Sequence, residues 1–212
     1  MRIEIWSDVA CPWCNIGRAR LQRALERFEH PVDVRWRSFE LDPTSPPDDG
    51  LAREMLARRK GLAPEQVAEL TAHVTQVAAE DGLVLDFDRV RAGNTNPAHQ
   101  LLHLAAEHGV QDELKGLLFH AQFTDGLALA DERVLFDLVE RVGIDRAVAE
   151  HALREGTYAD AVRADQREAA ELGATSVPFF VVDRRFAFAG AQPVELIVEV
   201  LEKAWAELTP TG

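Results

Sequence analysis

The chain contains two cysteines, and they stand three residues apart, Cys11 and Cys14, in the turn between an alternating segment and a helical one. No other feature constrains the fold as much. Arg2-Ile3-Glu4-Ile5-Trp6 alternates polar and apolar, which predicts a strand over residues 2–7 ending at Ser7-Asp8. Pro12 then falls in the first turn of a helix, where a missing N–H costs nothing. Leu21, Ala24, Leu25 and Phe28 recur at helical spacing and carry that helix to about Glu29. After His30-Pro31, the residues Val32, Val34, Trp36 and Ser38 alternate with Asp33, Arg35 and Arg37, the pattern of a half-buried second strand. The first forty residues therefore read as strand, helix, strand, with a C-x-x-C at the first junction.

The middle of the chain reads almost entirely as helix from Leu51 to about Gly173. Asp42-Pro43-Thr44-Ser45-Pro46-Pro47 is a loop by composition. Pro64 opens a helix with Val67, Leu70, Val74 and Val77 on one apolar face, stopping near Gly82. Asn96-Pro97 reads as a cap and first-turn proline for a helix ending at Gly109. Further helices end near Gly126, Gly143 and Gly156, and a last one runs from Tyr158 to Leu172. Phe119, Phe123 and Phe136 are expected in this block's own core, and Arg58-Arg59-Lys60 at a solvated helix end, where cations are favoured. Beyond Gly173 the pattern reverts. Val177 to Val182 is an apolar run, Asp183-Arg184 a turn and Arg185 to Phe188 a second strand. Pro193 opens a final helix with Leu196, Ile197, Val200, Leu201 and Ala204 on its buried stripe. The fold class is α/β: a βαβ…ββα sheet domain of residues 1–45 and 174–212, interrupted by a large all-helical insertion of residues 46–173.

Two cysteines separated by two residues at a helix start suit thiol–disulfide exchange. Their Cα atoms lie close enough for a bond with little backbone movement. The unpaired N–H groups and positive end of the helix favour a thiolate on the first cysteine, and the thiolate is the attacking species. Cys11 is thus the expected nucleophile and the more exposed of the two, with Cys14 one turn inside as the resolving thiol. Pro12 stiffens the turn and Trp13 offers an apolar surface beside the nucleophile. Asp8, three residues before Cys11, opposes thiolate formation if it lies close. Half a zinc site is the rival reading, since His99 and His103 complete a formal C-x2-C plus H-x3-H. The gap exceeds eighty residues, against about 12–15 in a finger-type site. A pair of buried structural thiols is a second rival.

Composition narrows the partners. The formal net charge of −13 opposes nucleic acid, whose phosphates are bound by basic patches. No apolar run approaches the roughly 20 residues needed to span a bilayer. The N-terminus lacks the positive start, apolar stretch of about 7–15 residues and small-residue cleavage site of a secretory leader, so the expected compartment is the cytoplasm. Neither a metal nor an organic cofactor is expected.

Several segments carry a resemblance. Asp8-Val9-Ala10-Cys11-Pro12-Trp13-Cys14-Asn15-Ile16-Gly17 resembles the start of the FrnE-like branch of the DsbA family. Ser38-Phe39-Glu40-Leu41-Asp42-Pro43, Asn94-Thr95-Asn96-Pro97-Ala98-His99, Gly173-Ala174-Thr175-Ser176-Val177-Pro178-Phe179-Phe180 and Gly190-Ala191-Gln192-Pro193 resemble later segments of the same family, in order. The resemblance covers essentially the whole chain. It implies a thioredoxin-like domain with a helical insertion, acting as a protein-disulfide oxidoreductase or isomerase on protein or small-molecule thiols and disulfides. It also implies a cis Val177-Pro178 bond facing Cys11, with the Val177 backbone left free to pair with an extended substrate. His99 is placed by it in the groove over Cys11, and Asn94 in the loop before that helix, as a shaping or a capping residue. One departure stands out: DsbA itself has a histidine before its second cysteine, where this chain has Trp13. A neutral indole cannot stabilise a thiolate as an imidazolium does, so strong oxidising power is not implied.

Two rival functions accompany the redox reading. One is a glutathione-dependent isomerase or transferase similar to 2-hydroxychromene-2-carboxylate isomerase and the kappa-class glutathione transferases. Those relatives typically keep a serine where this chain has Cys11, and for them glutathione is the co-substrate. The other is a binding module or holdase with incidental thiols. A homodimer formed through the helical block is compatible with each.

Overall fold

The structure, a computed structural model, describes residues 1–208. Four strands form one mixed sheet in the order β2-β1-β3-β4. Strand β1, Arg2–Ser7, lies inside it, parallel to β2, Asp33–Ser38, and antiparallel to β3, Phe179–Val182. Strand β4, Phe186–Ala189, closes the far edge as a hairpin with β3. The connection between them places Asp183 and Arg184 at φ of 45° and 58°, and the Asp183 carboxylate accepts the Arg2 N–H at 2.8 Å. Both ends of the chain thus build a single sheet.

Helix α1, Pro12–Leu25, and helix α9, Val194–Leu208, cover one face of the sheet. Leu21, Ala24, Ile197 and Leu201 pack there against Ile3, Ile5, Phe180 and Val182. Helix α1 stops at Leu25, about a turn short of the position expected from spacing. The chain then turns so that Phe28 enters the same core, edge-on to Trp205 at 6.4 Å. Leu196, expected on the buried stripe of α9, is 39% exposed; the stripe that packs is Val194, Ile197, Leu201 and Ala204.

Seven helices lie between β2 and β3 in the chain. These are α2 (Ala52–Lys60), α3 (Pro64–Glu80), α4 (Asn96–Glu107), α5 (Gln111–Phe123), α6 (Glu132–Arg141), α7 (Arg146–Glu155) and α8 (Ala159–Glu171). Of these, α4, α5 and α8 pack against β2. The stretch between α3 and α4 is irregular, pinned by a bridge between Leu51 and Arg91. Helix α4 is capped at Thr95, one residue before the expected Asn96, while the Asn94 side chain accepts the Asn96 N–H. Leu101, Leu104, Leu118, Leu135, Phe136 and Val139 form a core among the helices themselves. Phe119 and Phe123 do not join it. They pack with Trp6, Cys11, Cys14 and Val181 beneath the sheet, because α5 lies against the sheet with that face inward.

Edge strand β2 would leave backbone groups unpaired, a hazard for any sheet edge. Gln111, the first residue of α5, pairs the edge groups of Trp36: its amide oxygen accepts from Trp36 N–H and its amide nitrogen donates to Trp36 C=O. Asp165 on α8 accepts from Ser38 N–H at 2.8 Å. Strand β1 is enclosed on both faces, Glu4 included. Burial pushes its carboxyl up, but Arg37 and Arg184 outweigh that and hold it below the ordinary value.

Candidate active site

Cys11 is the N-cap residue of α1, with extended backbone, and Pro12 occupies the first helical position. The loop from Asp8 is closed by a Cys11 N–H bond to Asp8 C=O, and Cys14 N–H bonds back to Cys11 C=O at 3.0 Å. Both cysteines are free thiols. Cys14 is completely enclosed, and Cys11, at 5% exposure, is only slightly more open. The Cys11 thiol donates to the Val177 carbonyl at 3.7 Å. The Val177–Pro178 peptide bond is cis, and Pro178 packs against Gly17 of α1. Helix start, Val177 and Pro178 therefore meet at one spot.

A largely apolar groove of about 530 Å³ opens over Cys11. Pro12, Trp13, Thr175, Ser176 and Val177 line its near side, with Met55, Leu56, Leu70, Val74, Phe87 and Phe123 opposite and beneath. His73 of α3 meets the Trp13 ring at 6.2 Å between centroids. Leu70, expected on the packed face of α3, is 51% exposed, because that stripe faces the groove instead of a closed core. Arg59, Lys60 and Arg91 stand on the rim. Arg59 pairs with Asp42 and Asp49, and Arg91 with Asp48.

The electrostatics around the cysteines come from below. Burial and the adjacent Cys11 sulfur push the Cys14 thiol well above its ordinary value, while Ser7 and Lys115 act the other way. Asp8 is buried beside them. Burial pushes its carboxyl up, but the His99 ring and the N–H groups of Leu41 and Ala10 outweigh this and hold it below its ordinary value. Both its oxygens are occupied, Oδ1 by the Ala10 N–H and the His99 ring and Oδ2 by the Leu41 N–H.

The sequence-derived candidates divide accordingly. Cys11, Cys14, Pro12, Trp13, Val177 and Pro178 converge. His99 does not reach the groove. It is fully enclosed, with Nε2 on Asp8 at 3.3 Å, one layer behind the cysteines. Asn94 braces the loop before α4, donating to the carbonyls of Pro43 and Ser45. His103 bonds Asp165 and Ser38. Among the described residues, no three His, Cys, Asp or Glu side chains gather to hold a metal. Sequence reasoning missed Lys115 and His73; the only signal for Lys115 was its place among Leu114, Leu118 and Phe119 on one helix.

An enclosed cysteine pair at the start of the first helix of a four-stranded mixed sheet, met by a cis-proline loop, defines the thioredoxin-like class. Residues 2–202 match the DSBA-like thioredoxin domain, and the chain belongs to that family. It is 42% identical to a solved structure described as a "probable DsbA oxidoreductase" of Streptomyces coelicolor, with a TM-score of 0.93 over 100% of this chain and 93% of that one. The uncharacterized protein YwbO of Bacillus subtilis is 28% identical over 184 residues, 86% of each chain. The cytosolic disulfide reductase DsbM of Pseudomonas aeruginosa, solved with GSH, shares the fold at a TM-score of 0.70 and 18% identity, over 97% of this chain and 99% of that one.

Proposed function

We propose that the protein is a thiol–disulfide oxidoreductase or disulfide isomerase in which Cys11 attacks and Cys14 resolves. The observation that carries the reading is the asymmetry of the pair. Cys11 caps the helix at the floor of the groove, while Cys14 sits one turn inside with no exposure. The Cys11 thiolate attacks one sulfur of a substrate disulfide; a Cys11–substrate bond forms and the other substrate thiolate leaves. Cys14 as thiolate then attacks Cys11 Sγ, the Cys11–Cys14 bond forms, and the second substrate thiolate leaves. Two electrons pass from the protein dithiol to the substrate, and the reverse sequence oxidises a substrate dithiol.

The groove supports an apolar stretch of polypeptide or a small disulfide as substrate, lying across Trp13 and along Val177. In this reading residues 46–173 act as a helical insertion that supplies the far wall. The cytoplasm is the proposed compartment; among the described residues no helix is long and apolar enough to cross a membrane. Glutathione is the second candidate substrate, supported by Lys60 beside the groove, a cation that suits a carboxylate, Arg59 and Arg91 being paired with Asp42, Asp49 and Asp48.

The test is a trap. Cys14→Ser, incubated with a disulfide-bonded peptide or with oxidised glutathione, is expected to accumulate a mixed disulfide on Cys11 detectable by intact mass. Cys11→Ser is expected to accumulate none. Equal trapping by both variants contradicts the assigned roles.

A further inference from the structure

The two edges of the sheet are finished differently. On β2, Gln111 pairs the outward groups of Trp36, Asp165 takes the Ser38 N–H, and Asp33, Arg35 and Arg37 put charge along the strand. Strand β4 reads Phe186-Ala187-Phe188-Ala189, with neither charge nor proline. Two bonds fix its phase. The Gly190 N–H donates to Pro178 C=O at 2.8 Å, and the Asp183 N–H to Arg2 C=O at 2.9 Å. Antiparallel strands alternate bonded and non-bonded pairs. With Phe180 opposite Phe188 and Val181 opposite Ala187, Phe186 and Phe188 therefore bond to β3, while Ala187 and Ala189 turn their backbone groups outward. Gln192 donates to the Ala189 C=O at 2.7 Å, and that oxygen keeps a second lone pair. Among the described residues nothing meets the Ala187 N–H, the Ala187 C=O or the Ala189 N–H. Both alanine side chains are exposed.

We propose that β4 pairs with β4 of a second copy of this chain, antiparallel about a two-fold axis at Phe188, so that two sheets become one. An open edge of this kind is a template for another strand, and here the strand is complementary to itself. Ala187 and Ala189 flank Phe188 equally. The axis therefore sets Ala187 of each copy opposite Ala189 of the other, and each such pair exchanges two N–H···O bonds that use every outward group. Charge selects the same place. The chain carries a net −13, which sets two copies against each other over most of their surface. An uncharged strand is where they approach without that repulsion, and Arg185 at its start is already neutralised by Glu207. The neighbouring helix adds an apolar border. Lys203 Nζ lies 5.7 Å from the Phe186 ring centre, which puts the α9 stripe of Leu196, Val200 and Lys203 beside β4. Leu196 is 39% exposed, and the axis carries the two Leu196–Val200 stripes toward each other. No residue of β4 lines the groove over Cys11, so the pairing leaves that groove open in both copies.

The experiment is sedimentation velocity of the reduced protein over a concentration series, in which no intermolecular disulfide contributes. The wild type is expected to pass from monomer to dimer as concentration rises, with amide exchange at Ala187 and Ala189 slowing in step. Two double variants read the register, and both change exposed side chains that folding tolerates. Ala187→Glu with Ala189→Glu sets carboxylates directly opposite each other across the axis and is expected to weaken association about tenfold or more. Ala187→Lys with Ala189→Glu sets opposite charges at the same places and is expected to dimerise at least as tightly as the wild type. A wild type that stays monomeric at every concentration overturns the proposal. An undiminished dimer in the first variant places the interface elsewhere, on the helical block for example, and overturns it too. Equal loss in both variants overturns the two-fold register about Phe188.

Discussion

Pro178 rests directly on Gly17: a Cβ added to Gly17 would lie 2.8 Å from the proline Cγ, closer than any relaxed contact allows. The helix that carries the cysteines and the loop that carries Val177 are thus fitted together at a point with no side chain between them. Gly17 is read as an ordinary helix residue from sequence, and Gly→Ala inside a helix normally gains about 1 kcal/mol. Here overpacking against a rigid ring costs about 1–3 kcal/mol and reverses the sign. Gly17→Ala is expected to lower the urea midpoint and to slow mixed-disulfide formation at Cys11. A raised midpoint with unaltered rate contradicts the fit.

Lys115 leaves a signature in stability. Its folded value, about 8, lies below the unfolded 10.5, so the unfolded chain binds more protons between those limits. Stability attributable to this residue therefore rises across that window, by about 3 kcal/mol, and is at its lowest below pH 8. The Cys14 thiol is raised on folding and loses stability as pH rises past its unfolded value, so a Cys14→Ala background is the right one for comparison. In that background, Lys115→Met is expected to flatten the alkaline rise in urea-derived stability. Parallel curves with and without Lys115 contradict its burial as an ionisable group.

Asp8 works at the other end of the scale. Its carboxyl is held below its ordinary value near 3.8, so its contribution is present above that pH and is lost as pH falls through the folded value. Asp8→Asn is expected to cost about 1–3 kcal/mol at neutral pH, since a buried acceptor set on His99, Leu41 and Ala10 is broken. The cost should shrink on acidification. Chemical denaturation at several pH values below neutrality checks this, and a pH-independent difference contradicts it.

Leu70 separates groove from core. Because it is half exposed on the groove wall, Leu70→Glu is expected to change folding stability by no more than about 0.5 kcal/mol. The same change should weaken the reaction with an apolar peptide disulfide several-fold more than with a small polar one. Equal effects on both substrates contradict the groove as a substrate surface.

Much of the scaffold was legible in the sequence. The strand at Arg2–Ser7, Pro12 at the helix start, and the stops at Gly82, Gly109, Gly143 and Gly156 follow from local chemistry: alternation, first-turn proline and positive-φ glycine. What escaped depends on partners distant in the chain. Leu70 and Phe123 carry equally apolar side chains on helices, and nothing local says that one faces a groove while the other lies beneath the cysteines. His99 belongs to a recognisable segment, yet its burial against Asp8 is set by how α4 docks on the loop after β1. Lys115 reads as a surface cation in any helical pattern. Its enclosure becomes visible only once Ser7, Trp36 and Phe119 are assembled around it.

The central claim is that Cys11 and Cys14 form one reversible two-electron couple. The most direct measurement equilibrates the protein across glutathione redox buffers, traps free thiols and counts them by mass, with Trp13 fluorescence as a second readout. The account predicts a single transition between a species with both thiols free and one with an internal Cys11–Cys14 disulfide, following two-electron behaviour. A chain that stops at glutathione on Cys11, or never closes the internal disulfide at any poise, contradicts it.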